Sequence, residues 1–453
     1  MVNTSSTTNS SENFFMPFTA NKDFKKEPRL LERGEGVYYY NHKGDKVIDC
    51  SSGLFCVPLG HGRKEIADAV HQQLLKLDYA PSFAISHMPA FTLAERLAKM
   101  LPGDLNNIFF TICGSTAIDS AIKIIQAYQH AKGQSQRIRF VSRERAYHGV
   151  NIGGTSLSGM IKNREVFTAT MPGVIHLRHT WLEENKFNLG QPDHGDYLAD
   201  DLQRFVDMYG PESIAGCFVE PIAGSTGTLV PPKGYLEKLR ATCDKYGIVL
   251  VFDEVITGFG RTGEAFGANK YNVQPDMITL AKAITNGAQP MGAVAVSDDI
   301  YNTIINSGPE HGVEFFHGYT YSAHPACVAA SHATLDIYEN EGIFEKAKHM
   351  SSYFLNAVMD ELKDLPIVTD IRGDGLMAGI DLAVDGKPGV RGYDAQRKIF
   401  ANGGHLKFTG DCGIIAPALI STEDQIDEMI STAKEVLAQY LSLIHISEPT
   451  RPY

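Results

Sequence analysis

The middle of this chain alternates short apolar, β-branched runs with longer stretches of helical periodicity. That alternation is accommodated by a largely parallel sheet covered with helices, and by few other architectures. Candidate strands are Ile108–Ile112, Arg137–Val141, Gly216–Glu220, Ile248–Phe252, Met277–Leu280 and Ala293–Ser297, each bounded by turn or polar residues. Directly after the first run, Ile118, Ala121, Ile122 and Ile125 recur at helical spacing between Ser115 and Gln129, which predicts strand, glycine turn, helix. After about residue 330 the pattern changes to a helix, a short βαβ-like stretch around Ile367–Asp381, and a helix over Glu423–Tyr440. A chain of 453 residues exceeds what one core usually reaches. The expected organisation is a large α/β domain over 61–330 and a smaller α+β domain built from 1–60 and 331–440.

A formal charge of −12 with a pI near 5.7 argues against nucleic acid or an anionic membrane as partner, since either calls for a clustered basic face. No apolar run reaches bilayer-spanning length. A small molecule is the expected partner. The seven cysteines are scattered, without a Cys-x-x-Cys pair or zinc-like spacing, which suits reduced thiols in a cytoplasm. Met1–Asn13 is rich in Ser, Thr and Asn and lacks the features of a secretion signal, so a mobile tail is expected there. The stretch LSLIHISEPTR at 441–451 resembles a translated sequencing adapter, and residues 441–453 are set aside as non-native.

Two acids, Asp253 and Glu254, close the apolar run Leu250-Val251-Phe252, at the edge where open α/β sheets bind ligands. A glycine-rich turn, Gly258 to Gly263, follows, and Lys282 ends the next apolar run, 276–281. A lysine after a buried strand is costly to desolvate when charged; its pKa is expected to fall, and a neutral amine is what imine chemistry needs. Each feature alone has an ordinary reading: a solvated loop carboxylate, or a surface lysine with a snorkelling stem.

Together with AYHG at 146–149, VEPIAGSTG at 219–227, FDEVITGFGRTG at 252–263, PDMITLAKAITNG at 275–287 and HGYTYSAHP at 317–325, the pattern resembles the class III, or ω-amino-acid, aminotransferases of fold type I. The resemblance runs from about Met16 to Tyr440. It implies pyridoxal 5'-phosphate as cofactor, carried covalently by Lys282, whose released amine then moves the proton between substrate carbon and cofactor. It implies Asp253 as the partner of the pyridine nitrogen, Glu220 among its polar surroundings, and Tyr147 and Val255 on the two faces of the ring. His148 is either part of that site or a hydrogen-bonded core histidine. Gly114 and Ser115, at a helix N-terminus, are the expected phosphate cradle, although Ser115 alone reads equally as a helix cap. The family usually has Glu where this chain has Thr116, which leaves that acid's structural role unfilled. Thr320 matches a residue that reaches the phosphate of a neighbouring subunit, implying at least a homodimer, with a tetramer open; on its own it reads as turn chemistry.

Within the family, MPFTANKDFK at 16–25, SGLFCVPLGHGRKEI at 52–66 and PPKGYL at 231–236 resemble the ω-amino-acid:pyruvate branch. β-Alanine as donor and pyruvate or a related keto acid or aldehyde as acceptor are the expected substrates. Phe18, Phe55, Phe83, Tyr147, Ser225 and Ile256 match substrate-pocket positions, though scattered aromatics are also ordinary core residues. The branch usually places an arginine for the acceptor carboxylate in R-x-TGD; here the stretch is Leu406-Lys407-Phe408-Thr409-Gly410-Asp411. Lysine keeps the charge and loses the planar fork. Racemases and aminomutases share the lysine and the aspartate, so those activities stay open at this stage, as does, more remotely, a non-catalytic scaffold.

Overall fold

The computed structural model describes residues 13–440; the tail before Asn13 and the adapter-like stretch lie outside the described residues. Seven strands form the central sheet: β1 (Asn107–Thr111), β2 (Arg139–Arg143), β3 (Val174–Leu177), β4 (Ile214–Val219), β5 (Val249–Asp253), β6 (Met277–Leu280) and β7 (Gly292–Val296). Their order is β1-β7-β6-β5-β4-β2-β3. Only β7 runs against its neighbours, pairing antiparallel with both β1 and β6. The sheet is therefore largely parallel, and β4, β5 and β6 are buried along their whole length, as strands covered on both faces must be. Helix α1 (Gly114–Ala131) lies on this sheet and buries Ile118, Ala121, Ile122 and Ile125, the residues whose spacing predicted it.

Where the strands differ from the sequence reading, the cause is polar. β2 begins at Arg139 rather than Arg137, because the Arg137 guanidinium turns aside to the carbonyls of Pro211, Ile214 and Tyr246. It continues past Val141 to Arg143, a fully buried arginine that donates to the Glu220 carbonyl at 2.8 Å. Ser297 leaves β7 to cap the helix Asp298–Ser307.

The βαβ-like reading of 367–381 is wrong. Val368–Asp374 and Met377–Leu382 form an antiparallel hairpin, with Asp374 opposite Met377. Only Gly375 and Leu376 separate the strands, Gly375 has a φ of +61°, and no helix fits in two residues. The hairpin joins Cys412–Ile415 and Lys407–Thr409 in one four-stranded sheet. In another, Lys46–Asp49 near the N-terminus pairs in parallel with Gly404–His405. Among the described residues no helix is long and apolar enough to cross a membrane.

Candidate active site

The carboxyl ends of β4, β5 and β6, with the N-terminus of α1, open on one cavity of about 440 Å³. Its walls include Gly114, Ser115, Tyr147, His148, Glu220, Asp253, Val255, Ile256 and Lys282. Nine residues singled out from five separate stretches of sequence thus meet in one place.

Asp253 is the last residue of β5, and its register opposite Thr279 of β6 puts their side chains in contact. Asp253 Oδ1 accepts from Thr279 Oγ1 at 3.1 Å and from the Val255 backbone at 3.2 Å, while Oδ2 takes His148 Nδ1 at 2.8 Å. The other His148 ring nitrogen is buried and has no hydrogen-bond partner among the described residues. Glu220 follows β4; one oxygen accepts from the Tyr147 backbone at 3.0 Å, the other from Gly224 at 3.2 Å. Burial, and then the nearby Asp253, raise the Glu220 carboxyl, though the His148 ring opposes them. Burial, and then the Asp253 charge, raise the Tyr147 phenol. Glu254, the second acid of the motif, does something else. It accepts from Gly267 and Ala268 at 2.6 and 2.8 Å and from Thr257, capping the short helix Gly267–Tyr271, and burial pushes its carboxyl up to about 7.

Lys282 opens a tight turn, Lys282–Thr285, with a φ of +49°, and is half-buried in the cavity wall. A left-handed non-glycine residue is strained, and such strain gathers at functional sites. The glycines around it are there for close approach. A Cβ on Gly114 would stand 3.0 and 3.2 Å from the two Val255 methyls, and one on Gly149 would stand 2.5 Å from Ser115 Oγ. Ser115 Oγ accepts from the Val150 backbone at 3.1 Å, which leaves its proton free to be donated. Thr116 takes over a cap: its hydroxyl accepts the Cys113 N–H at 3.0 Å and donates to the Cys113 carbonyl at 2.8 Å. The expected gap at that position is therefore filled by a shorter side chain.

A second group adjoins the first. Lys407 Nζ lies 3.3 Å from the Ser225 carbonyl and 5.3 Å from the Phe55 ring centroid. Burial, and then the Lys282 charge, pull its pKa down to about 8. Phe55, Ser225 and Lys407 thus stand beside the cavity rather than in its lining, and three further residues lie away from it. Phe83 is exposed and packs on Gly318, and Thr320 is exposed with its carbonyl accepting from Tyr79 OH at 3.0 Å. Phe18 is 79% exposed beside Phe408 in a separate surface cleft. The sequence reading missed Cys56, Thr285 and Met291 in the cavity wall and Thr279 behind Asp253. Thr279 had a signal, since it is the one polar residue within the apolar strand Met277–Leu280 that precedes Lys282.

Residues 19–437 match the family described as aminotransferase class-III. The chain is 46% identical to an omega-aminotransferase of Caulobacter vibrioides over 94% of its own length and 97% of the relative's. It is 44% identical to an omega-amino acid–pyruvate aminotransferase of Pseudomonas putida, over 94% and 96%. Its fold is similar to that of an omega transaminase from Pseudomonas jessenii solved in complex with PMP, with a TM-score of 0.91 at 30% identity, covering 97% of this chain and 98% of that one. The chain belongs to the class-III aminotransferases, which are dependent on pyridoxal phosphate.

Proposed function

We propose that this aminotransferase moves the amino group of an ω-amino acid such as β-alanine to pyruvate or a related keto acid or aldehyde, with Lys282 as its central residue. The observation that carries the assignment is the meeting of Lys282 and Asp253 in one cavity at the ends of adjacent parallel strands. The pocket fits pyridoxal phosphate: about 440 Å³ is within the range of cofactor pockets, and its polar groups are few and convergent. Two glycines keep Cβ atoms out of the cradle beside Ser115, and His148 keeps a buried nitrogen unpartnered behind Asp253.

When bound, the cofactor supplies an aldehyde for the substrate amine and a ring that draws electrons from the bond being broken. Asp253, oriented by Thr279 and His148, holds a proton on the ring nitrogen. Gly114 and Ser115 offer N–H groups and a hydroxyl to the phosphate at the N-terminus of α1, whose dipole favours an anion. Tyr147 and Val255, both in the cavity wall, would hold the two faces of the ring; Ile256 lines the same cavity, and Phe55 stands behind Cys56 against Lys407, on the proposed substrate side. The Lys282 amine holds the cofactor and then moves the proton at the reacting carbon. Lys407 grips the acceptor carboxylate, with Ser225 supplying the carbonyl that orients it. Thr320 acts from the surface on the phosphate of a neighbouring copy, so the working unit is a homodimer, and the setting is the cytoplasm.

The relatives' names and the lysine and carboxylates of the cavity support this reading. A panel of donors and acceptors tests it. β-Alanine with pyruvate is expected to give alanine and 3-oxopropanoate in equal amounts; a panel in which no ω-amino acid or primary amine donates would reject the substrate assignment.

A further inference from the structure

The stretch that carries Phe55 and Cys56 has an unusual backbone. Ser52, Gly53, Leu54 and Phe55 are four consecutive residues with φ of +41°, +58°, +56° and +68°. Only one of them is glycine, so local preference opposes the turn and something outside it must hold it. Phe55 is buried against Lys407, and Cys56 lines the cavity with Lys282. The placement of this turn therefore decides where one wall of the site stands.

Asp49, at the end of the strand Lys46–Asp49, sits directly behind the turn and is buried. Each of its oxygens takes one backbone N–H and one imidazole. Oδ1 accepts from Ser51 N at 3.2 Å and His405 Nδ1 at 3.4 Å; Oδ2 accepts from Gly53 N at 2.6 Å and His61 Nε2 at 2.9 Å. Tyr39 packs on His61 at 4.2 Å and edge-on to His405 at 6.0 Å, closing the cluster. Burial would raise the Asp49 carboxyl, but the contacts with His405 and His61 outweigh it and hold the group down at about 2. His405 reaches the cluster because its strand pairs with Lys46–Asp49. The same turn is tied to the rest of the site: Ser51 Oγ accepts from the Lys407 backbone at 3.0 Å, and Arg261 donates to Ser52 Oγ at 2.8 Å.

We propose that Asp49, gripped by His61 and His405, is a positioning residue that holds the left-handed turn 52–55 and thereby places the Phe55 wall against the amine donor. It touches neither substrate nor cofactor and acts through the turn. The inference rests on the reading of Phe55 as a substrate-side residue, and the test separates the two. An asparagine at 49 is close to isosteric, yet its amide has one acceptor oxygen, so whichever way it faces one backbone N–H of the turn loses its partner and the imidazole beside it must switch from donor to acceptor.

The experiment compares wild-type holoenzyme with Phe55→Ala, Asp49→Asn, the double variant, His61→Leu and His61→Gln. It measures kcat and KM for the donor, bound cofactor by absorbance, and thermal unfolding. Asp49→Asn is expected to raise the donor KM about tenfold, with kcat changed less than about threefold and cofactor content retained. In the Phe55→Ala background the same change should add less than about twofold, because the wall it positions is gone. His61→Leu should raise KM in the same sense, and His61→Gln, whose amide donates a similar hydrogen bond, should recover most of it. If Asp49→Asn does not fold, the His61 pair carries the same comparison. An unchanged KM in Asp49→Asn and His61→Leu, additive effects in the double variant, or parallel loss of kcat and cofactor would overturn the inference. A Phe55→Ala variant with unaltered KM would overturn the placement of Phe55 and the inference with it.

Discussion

His148 Nδ1 stands 2.8 Å from Asp253 Oδ2, so the imidazole and the hydroxyl of Thr279 grip the two oxygens of one carboxylate from different strands and loops. A carboxylate held this way has one orientation. Asp253→Asn removes the charge and leaves the shape. The rate is expected to fall by roughly 10²–10³-fold, the scale of losing one preorganised electrostatic group, with little change in melting temperature. Steady-state kinetics at matched cofactor content check this, and wild-type rates would remove Asp253 from its role.

Lys407 gives a prediction with a sign in pH. Its pKa is drawn down to about 8, so below that pH the ammonium form predominates and can bind a carboxylate. Above it, the charged fraction falls about tenfold per pH unit, and kcat/KM for pyruvate should fall with it. A simple aldehyde has no carboxylate to lose, and groups that act on both acceptors cancel in the ratio. The pyruvate-to-aldehyde ratio of kcat/KM is therefore expected to be flat below about pH 8 and to fall above it. Lys407→Ala should lower that ratio by about 10–150-fold, the range for one hydrogen bond to a charged group. Lys407→Arg should abolish the fall with pH. A ratio independent of pH in the wild type would take Lys407 out of acceptor binding.

Thr320 lies exposed, outside the cavity of its own chain, and its proposed target is a neighbour's phosphate. Cofactor binding and association are then linked by mass action. Holo protein should remain dimeric at dilutions where apo protein dissociates, and Thr320→Val should weaken cofactor retention by about tenfold. Sedimentation across a dilution series reads the first and cofactor titration the second. A fully active holo monomer would exclude a shared site.

The cofactor cavity was legible because its residues lie in short, continuous motifs at strand ends, where pattern and chemistry coincide: Asp253 closes β5 and Lys282 follows β6. Glu254, adjacent in sequence, points away to cap a helix, and no one-dimensional pattern separates the two acids. The hairpin at 368–382 was misread although Arg372-Gly373-Asp374-Gly375 interrupts its apolar runs: that break is a turn signal and is too short to hold a helix. The Asp49 cluster was invisible. Tyr39, Asp49 and His61 meet locally, but His405 joins them only through the pairing of strands more than 350 residues apart, which sets it opposite Asp49. Phe18, Phe83 and Thr320 match family positions, yet they lie exposed at the surface of the chain, which a match of motif alone does not reveal.

The central claim is that Lys282 carries the cofactor, and the most direct measurement is peptide mapping after borohydride reduction of the purified holoenzyme. Reduction converts the lysine–cofactor linkage into a stable secondary amine, so the phosphopyridoxyl group stays on the peptide to which it was bonded. The account predicts that group on the peptide containing Lys282, with loss of the visible absorbance. It also predicts no labelled peptide in Lys282→Ala, a variant that stays folded, binds the cofactor noncovalently and does not turn over. The group on a peptide containing Lys407 or any other lysine, or near-normal turnover by Lys282→Ala, would contradict it.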